Sequence, residues 1–406
     1  MRFVLLDPGF EDISSHHANV NRQLHISAQS KHVDLLILAS KKYIASKYLP
    51  MQEQTFQRSV LPYFNTPCYT NNLKPLSVSQ EQMLSQQFCT ELHQAYQNKL
   101  IQSCDTLLIH TCFSFHILGL AAWLNDMKKH FTGKLLLCGM FYPGKPTLKA
   151  GDELINYQWY IRNRLAFLSL NRACEKISLT LATSNKTYLK AYQACTDIPF
   201  TIHPAVNYIA PQVASSKSTT KKRVILYIGS VKQDKGLNYL AQVLPELLEQ
   251  LNDIEFFLHF NEASPGARDF LSLKQHLVYL AKVHPNLILY FEPMTQNDYE
   301  YQLSISDAVV LSYEPHSYQN KTSGLLWDAV RYPSLAFICA KGIWAEEEYK
   351  AIGGCPFTFD YADKQSLIHT LSNWKSKKLS NLTLSEYGKK INQSFADWCF
   401  SAPANM

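Results

Sequence analysis

Glycine is scarce in this chain, with 14 in 406 residues, and that excludes glycine-rich repeats and collagen-like or low-complexity architectures. Charge is also thin: 18% of residues are Asp, Glu, Lys or Arg, and the net charge is only +6. Basic clusters such as Lys41-Lys42, Lys128-Lys129 and Lys221-Lys222-Arg223 are short and do not interleave with aromatics, so no nucleic-acid surface is expected. No apolar run reaches bilayer length, and the apolar part of Met1–Asp7 is too short for a signal peptide. The ten cysteines show no Cys-x-x-Cys pair, and no spaced ligand set points to zinc, so no metal site is expected. Several, such as Cys138 after Leu135-Leu136-Leu137, lie in apolar runs and read as buried thiols in a reducing compartment. Gly-x-Gly-x-x-Gly, Gly-x-x-x-x-Gly-Lys-Ser/Thr, Gly-x-Ser-x-Gly and Asp-x-Asp are all missing, which removes the commonest dinucleotide, P-loop, hydrolase and metal-dependent transferase signatures.

What is present is a large core and a regular alternation. Hydrophobic residues make up 46% of the chain, with 23 Tyr and 21 Phe, and the length predicts two domains. Apolar runs at Phe3–Asp7, Val33–Ala39, Thr106–Ile109, Lys134–Cys138, Ile177–Ala182 and Phe200–His203 read as buried strands, with helical stretches between most of them. Residues from Lys42 to about Val78, with four prolines, read as irregular. A polar stretch, Pro211–Lys222, has linker composition. Alternation then resumes with strands at Arg223–Ile228, Ile254–His259, Leu287–Phe291, Ala308–Leu311 and Leu335–Cys339, and the last segment, Ser385–Phe400, reads as helical. The fold class is therefore α/β, with two doubly wound, Rossmann-like domains facing across a cleft. The expected bounds are 1–208, a linker at 209–222, a second domain at 223–384, and a C-terminal helix over 385–406 that returns to the first domain.

Two stretches carry candidate chemistry. Thr322, Ser323 and Gly324 open a helix after the strand Ala308–Leu311, and small hydroxyl residues suit a helix N-terminus, where free N–H groups attract anions. Asp328 lies one turn in. The second stretch follows the strand Arg223–Ile228 and reads Gly229-Ser230-Val231-Lys232-Gln233-Asp234-Lys235-Gly236.

Together these resemble the nucleotide-sugar domain of retaining glycosyltransferases of the GT-B fold, the family called group 1 or family 4. That family shows a strand followed by Gly-Arg-x-x-x-Glu-Lys-Gly; here Asp234 stands for the Glu and Ser230 for the Arg. Asp307–Ser312, Thr322–Ala329 and Pro333–Ile338 resemble its later strands and Ser-Gly helix, so the likeness covers roughly Arg223 to Phe359. It implies a nucleoside-diphosphate sugar donor, UDP or GDP, as co-substrate, with no cofactor and no metal. Lys235 would be the cation on the departing diphosphate. Gly229, Ser230, Asn320, Thr322, Ser323, Gly324 and Leu325 would line the donor, and Asp328 would accept from the ribose. Asn320 stands where the family often has a second Glu. Thr106–His110 resembles the strand that ends in a histidine near the transferred sugar, which makes His110 a catalytic candidate. His16 and His17 lie in the loop where the family contacts the acceptor side; His116 reads as structural. The expected activity is hexosyl transfer in polysaccharide biosynthesis, to a carbohydrate, lipid-linked or protein acceptor. The expected location is cytoplasmic, with a peripheral contact to the inner membrane face left open. The alternatives are a GT-B protein that binds without transferring, and a sugar-nucleotide epimerase.

Overall fold

The computed structural model describes residues 2–12, 16–44, 51–70, 76–139, 141–146, 154–175, 177–205, 221–262, 267–332, 334–376 and 382–401. Nearly all of the expected linker, 209–222, lies outside them. The chain divides into two compact units, Met1–Tyr208 with Ile391–Met406, and Ile209–Lys390.

The first unit runs β1 (Arg2–Asp7), α1 (His16–Ser30), β2 (Asp34–Ser40), α2 (Met51–Arg58), β3 (Val60–Phe64), α3 (Val78–Gln97), β4 (Thr106–Ile109), α4 (Ser114–Asp126), β5 (Lys134–Gly139), α5 (Leu154–Ala173), β6 (Ser178–Thr183), α6 (Lys186–Cys195) and β7 (Phe200–Ile202). Its seven parallel strands lie in the order β3-β2-β1-β4-β5-β6-β7. A parallel sheet is covered on both faces, so its central strands are apolar throughout. Val4, Leu6, Leu107, Ile109, Leu135 and Leu137 pack on one face against α3, α4 and α5; Phe3, Leu5, Leu108 and Leu136 pack on the other with α1. The segment from Lys42 to Val78, read as irregular, holds α2 and the edge strand β3. Pro62 lies within β3, which an edge position tolerates.

The second unit runs β8 (Lys222–Tyr227), α7 (Leu237–Gln250), β9 (Ile254–His259), α8 (Leu271–Val283), β10 (Leu287–Tyr290), α9 (Gln296–Ile305), β11 (Ala308–Leu311), α10 (Pro315–Tyr318), α11 (Gly324–Val330), β12 (Ala336–Ala340), α12 (Trp344–Ile352), β13 (Phe357–Phe359), α13 (Lys364–Ser376) and α14 (Glu386–Ile391). Its six parallel strands lie in the order β10-β9-β8-β11-β12-β13. The single C-terminal helix expected over Ser385–Phe400 is broken: α14 stops at Ile391 and α15 (Phe395–Ser401) follows. Helix α15 packs in the first unit. Phe395, Ala396 and Cys399 join the core beside α1, Asp397 accepts from Ser27 Oγ at 2.7 Å and pairs with Lys31 Nζ at 2.9 Å, and Phe400 meets Phe3 edge-on at 4.8 Å.

In each sheet the strand order reverses once, between β1 and β4 and between β8 and β11. Ligands of doubly wound sheets bind beyond the carboxyl ends of strands at such reversals. Both candidate constellations sit there, one in each unit.

Candidate functional site

In the second unit, the turn after β8 is shaped by two glycines. Gly229 has φ +107° and Gly236 φ +78°, left-handed backbone that L side chains rarely adopt. A Cβ on Gly236 would lie 1.6 Å from the carbonyl oxygen of Ser312, so only glycine lets this turn close against the end of β11. Beside Gly229 there is room instead, and a Cβ there would come no nearer to any neighbour than 3.5 Å, from Lys235 Nζ. Tyr227 braces the turn from below, donating from Oη to Ser230 O at 2.9 Å and accepting from Lys232 N at 3.2 Å. His259, at the end of β9, accepts from Gly229 N at 3.4 Å and donates from Nε2 to Glu292 O at 2.9 Å, which sets its tautomer.

Lys235 is the chemical centre of this turn. Its ammonium donates to Ser230 Oγ at 3.3 Å, and among the described residues it pairs with no carboxylate. Burial, then repulsion from Lys232, lowers its pKa to about 8, although Asp234 pulls the other way. Lys235 is half-buried, and taking an ammonium even partly out of water without a counter-charge is costly. Asp234, its sequence neighbour, takes Lys321 as its ion-pair partner, while its Oδ1 is buried without a hydrogen bond among the described residues. Lys321 also lies over the Tyr318 ring at 4.7 Å, so it is tied down next to this turn rather than offered freely to a ligand. A cavity of about 480 Å³ opens beside Ser230 and Lys232, floored by Asp269, Phe270 and Leu273.

Across the reversal, the segment after β11 brings Asn320, Thr322 and Ser323 to the same sheet edge, with Asn320 and Thr322 half-buried and Gly324 exposed. Ser323 does precede α11, but its hydroxyl caps nothing; it meets Tyr313 Oη at 3.0 Å. That corrects the expected hydroxyl cap, because a buried phenol out-competes the backbone for Oγ. Leu325 is 8% exposed and packs inward. Asp328, the expected ribose acceptor, is also buried: Oδ2 accepts from Tyr299 Oη at 2.8 Å, and Oδ1 lies 3.9 Å from Arg331. Burial raises its pKa to about 6, against the pull of Arg331 and Tyr299.

In the first unit, Asp7 at the end of β1 anchors a second constellation. His17 Nδ1 donates to Asp7 Oδ1 at 2.7 Å, and Asn21 Nδ2, one turn further along α1, donates to Oδ2 at 2.7 Å. His110, just past β4, directs Nε2 at Asp7 Oδ2 (3.2 Å) and Asn21 Oδ1 (3.1 Å), with Nδ1 on Thr111 Oγ1 at 2.9 Å. Two acceptors at Nε2 mean that this nitrogen carries the proton. Burial pushes the Asp7 carboxyl up, but the attraction and hydrogen bonds of His110 and His17 outweigh it and hold it far below the usual carboxylate range. Gly9 makes room for this, since a Cβ there would lie 2.4 Å from the His17 ring. The outer nitrogen of His17, Nε2, meets Tyr69 Oη at 2.7 Å. Tyr69 is carried on the loop after β3, and buried Glu91 holds the start of that loop, accepting from Asn65 N and Thr66 Oγ1 at 2.8 Å each.

His110, which the resemblance puts beside the transferred sugar, is 1% exposed with both ring nitrogens engaged by protein groups. His16 opens α1, and its side chain lies outside the described residues. His116 accepts from Phe113 N at 3.1 Å and so caps α4; burial lowers its pKa to about 3. Asp7, His17 and His110 also bring three ligand-capable atoms within 4.8 Å of one another, a juxtaposition that the sequence spacing did not reveal. The pattern that could have found Asp7 and Asn21 is a strand-terminal carboxylate followed by His and Asn at i, i+4 on the next helix.

The class that this fold defines is GT-B: two doubly wound parallel units, each with its polar constellation at the strand reversal. Solved structures share it. A sucrose-phosphate synthase from Thermosynechococcus elongatus aligns over 98% of this chain and 94% of its own, with TM-score 0.58 and 9% identity. A UDP-forming α,α-trehalose-phosphate synthase from Burkholderia xenovorans, in complex with glucose-6-phosphate, aligns over 98% of each chain with TM-score 0.63 and 10% identity. HepE from Anabaena, in complex with UDP and glucose, covers 98% and 94% with TM-score 0.57 and 12% identity. No family profile matches the sequence, and no curated protein does. At these identities the likeness establishes the fold. No described helix is long and apolar enough to cross a membrane.

Proposed function

We propose that this protein is a retaining glycosyltransferase that moves a sugar from a nucleoside-diphosphate donor to an acceptor hydroxyl. The observation that carries the reading is Lys235: a half-buried ammonium without a carboxylate partner among the described residues, beside a positive-φ glycine at the strand reversal. Transfer builds negative charge on the departing diphosphate, and a fixed, desolvated cation is the group that stabilises it. A diphosphate at Gly229 and Ser230 would supply the counter-charge that the apo protein lacks. Asn320, Thr322, Ser323, Gly324, Leu325 and Asp328 belong to the same donor site in this reading, with Asp328 reaching the ribose after Tyr299 yields one of its contacts.

The family assignment, group 1 or family 4, rests on the Gly229–Gly236 motif. UDP is the favoured donor nucleotide, because the structural relatives include a UDP-forming enzyme and a UDP complex. Retention follows from the same likeness and gives the leaving phosphate the role of base; no cofactor or metal is invoked. His17 and His16 belong to the acceptor side, and His110 acts by positioning Asp7. The remaining parts of the proposal are a cytoplasmic location and a carbohydrate, lipid-linked or protein acceptor in polysaccharide synthesis, without nucleic acid.

A second reading, binding without transfer, draws on Ser230 in place of arginine and on Lys321 held by Asp234, which weaken the cationic pair that the family directs at the diphosphate. A thermal-shift screen with UDP, GDP and ADP on wild type and Lys235→Met separates the cases. A nucleotide at a hundred times its Kd adds roughly 2.7 kcal/mol of stability. Stabilisation of wild type and not of the variant supports the donor site, and UDP release from UDP-sugars then distinguishes transfer from binding. No stabilisation by any nucleotide would refute the reading.

A further inference from the structure

The first unit carries an aromatic surface at the same sheet edge as the Asp7 constellation. Phe113, at the start of α4, and Phe141, after β5, stack at 4.5 Å with 20° between their planes. Tyr69 stands edge-on to both, at 6.3 Å and 6.2 Å, and is 49% exposed. Phe113 and Phe141 are themselves only half-buried. All three follow carboxyl ends of the parallel strands β3, β4 and β5, the edge where such sheets bind ligands.

At the rim of these rings, the Tyr69 hydroxyl begins a polar chain: Oη to His17 Nε2 at 2.7 Å, His17 Nδ1 to Asp7 Oδ1 at 2.7 Å, and Asp7 Oδ2 to Asn21 and His110 behind. His17 Nδ1 donates to the carboxylate, and its other ring nitrogen, Nε2, shares a hydrogen bond with the phenol, which fixes the position of Oη. Burial, and then Cys68 and Asp7, push the Tyr69 pKa up, so the phenol stays protonated. A phenol oxygen has two lone pairs, so one bond to His17 leaves Oη able to accept from a donor arriving from outside.

A half-exposed aromatic cluster with one fixed hydroxyl at its edge is the complement of a pyranose, whose C–H groups form apolar faces and whose hydroxyls form the rim. We infer that Tyr69, Phe113 and Phe141 bind the acceptor as an uncharged pyranoside, with Tyr69 Oη, oriented by His17 and Asp7, accepting from a rim hydroxyl. This rests on the transferase reading but names a different acceptor chemistry from glucose-6-phosphate, which the Burkholderia structure contains. Aromatic faces reward ring C–H groups and offer nothing to a phosphate dianion.

The test uses the full chain and saturation-transfer NMR with methyl glucopyranoside, galactopyranoside and mannopyranoside, and with glucose 6-phosphate. At least one methyl pyranoside should show saturation at its ring protons. Phe113→Leu, which keeps the apolar volume but removes the π face, should weaken that binding roughly five- to tenfold. Tyr69→Phe, which removes one oxygen and its bond to His17 Nε2, should weaken it by a similar factor and lower the melting temperature by a few degrees, with the protein still folded at the temperature of the binding assay. UDP titrations should be unaffected by both variants and weakened roughly ten- to a hundredfold in Lys235→Met, so failure of the donor site and failure of the acceptor site read out separately. Binding of glucose 6-phosphate alone, binding of no pyranoside, or wild-type affinity in Phe113→Leu would overturn the inference. So would zinc chloride stabilising wild type but not His17→Ala, because a metal would then stand where the hydrogen-bonded chain is drawn.

Discussion

If Lys235 meets a diphosphate, nucleotide binding must take up protons. In the free protein its pKa is lowered to about 8, mainly by burial. A bound diphosphate supplies an adjacent negative charge and restores the ammonium. At pH 8 the free lysine is about half protonated, so binding should absorb about half a proton, rising to about 0.9 at pH 9 and falling to about 0.1 at pH 7. The nucleotide's own phosphate titrates near pH 6 and contributes little in this window. Affinity should therefore be flat below pH 8 and fall toward tenfold per pH unit above it. Lys235→Met should abolish the uptake and cost roughly ten- to a hundredfold in affinity, the worth of a hydrogen bond to a charged group. Stability should move the opposite way. A lysine whose folded pKa lies below its unfolded value penalises the fold at neutral pH, and the penalty, about 3 kcal/mol here by 1.36 kcal/mol per unit, fades as pH rises from 8 to 10.5. The variant should thus melt higher than wild type at pH 7. Isothermal titration calorimetry in buffers of different ionisation enthalpy reads the proton count directly. Equal uptake in wild type and variant would refute the assignment.

Three further outcomes follow from named contacts. Gly236→Ala combines a left-handed φ with a backbone collision at Ser312, so it should lose about 3 kcal/mol or more, while Gly229→Ala, with open space, should lose only about 1–2 kcal/mol; thermal melts of the pair that failed to differ would sink the argument. Asp328→Asn removes a carboxyl raised to about 6, whose burden is felt as pH climbs from 3.8 to 6. The variant should gain up to about 3 kcal/mol at pH 7.5 and nothing below pH 3.8, yet bind nucleotide more weakly; urea titrations at the two pH values check the first part. Asp7 is the reverse case: its depressed pKa stabilises the fold above about pH 3.8, and that support is lost on acidification below it. Asp7→Asn should be destabilised by about 3–5 kcal/mol at pH 7 and should show a shallower loss of stability between pH 4 and pH 2 than wild type, by denaturant midpoints.

The central strands were legible because doubly buried parallel strands are short, unbroken apolar runs, as at Phe3–Leu6 and Leu135–Cys138. Elements without that signature were not. β3 is an edge strand with a proline and an exposed Leu61, so neither an unbroken apolar run nor a clean alternation marks it. Helix α8 buries Leu277 and Leu280 but exposes Leu271, Tyr279 and Val283, which blurs its apolar stripe. Helix α10 is a single turn in which Glu314 accepts from His316 N and Ser317 N, and a four-residue helix leaves no period to read. The turn from Gly229 to Gly236 could be read as a unit because its chemistry is local in sequence. The Asp7 constellation could not, since Asp7, the α1 residues His17 and Asn21, Tyr69 and His110 come from four separate segments up to 103 residues apart. Only the i, i+4 pair on α1 left a local trace.

Helix α15 has a consequence for how the molecule is made. Phe395, Ala396 and Cys399 complete the core beside α1, at the opposite end of the sequence from most of that core. On a ribosome, the first unit emerges first but lacks these side chains until the second unit has been synthesised in full. The second unit's last strand, β13, ends at Phe359, so that unit too has all six of its strands before α15 is made. Synthesis therefore leaves one seam of the first unit open to a late stage: its seven strands are complete at Ile202, but the surface of α1 between Ser27 and Lys31 waits for Asp397 until the strands of the second unit have been made.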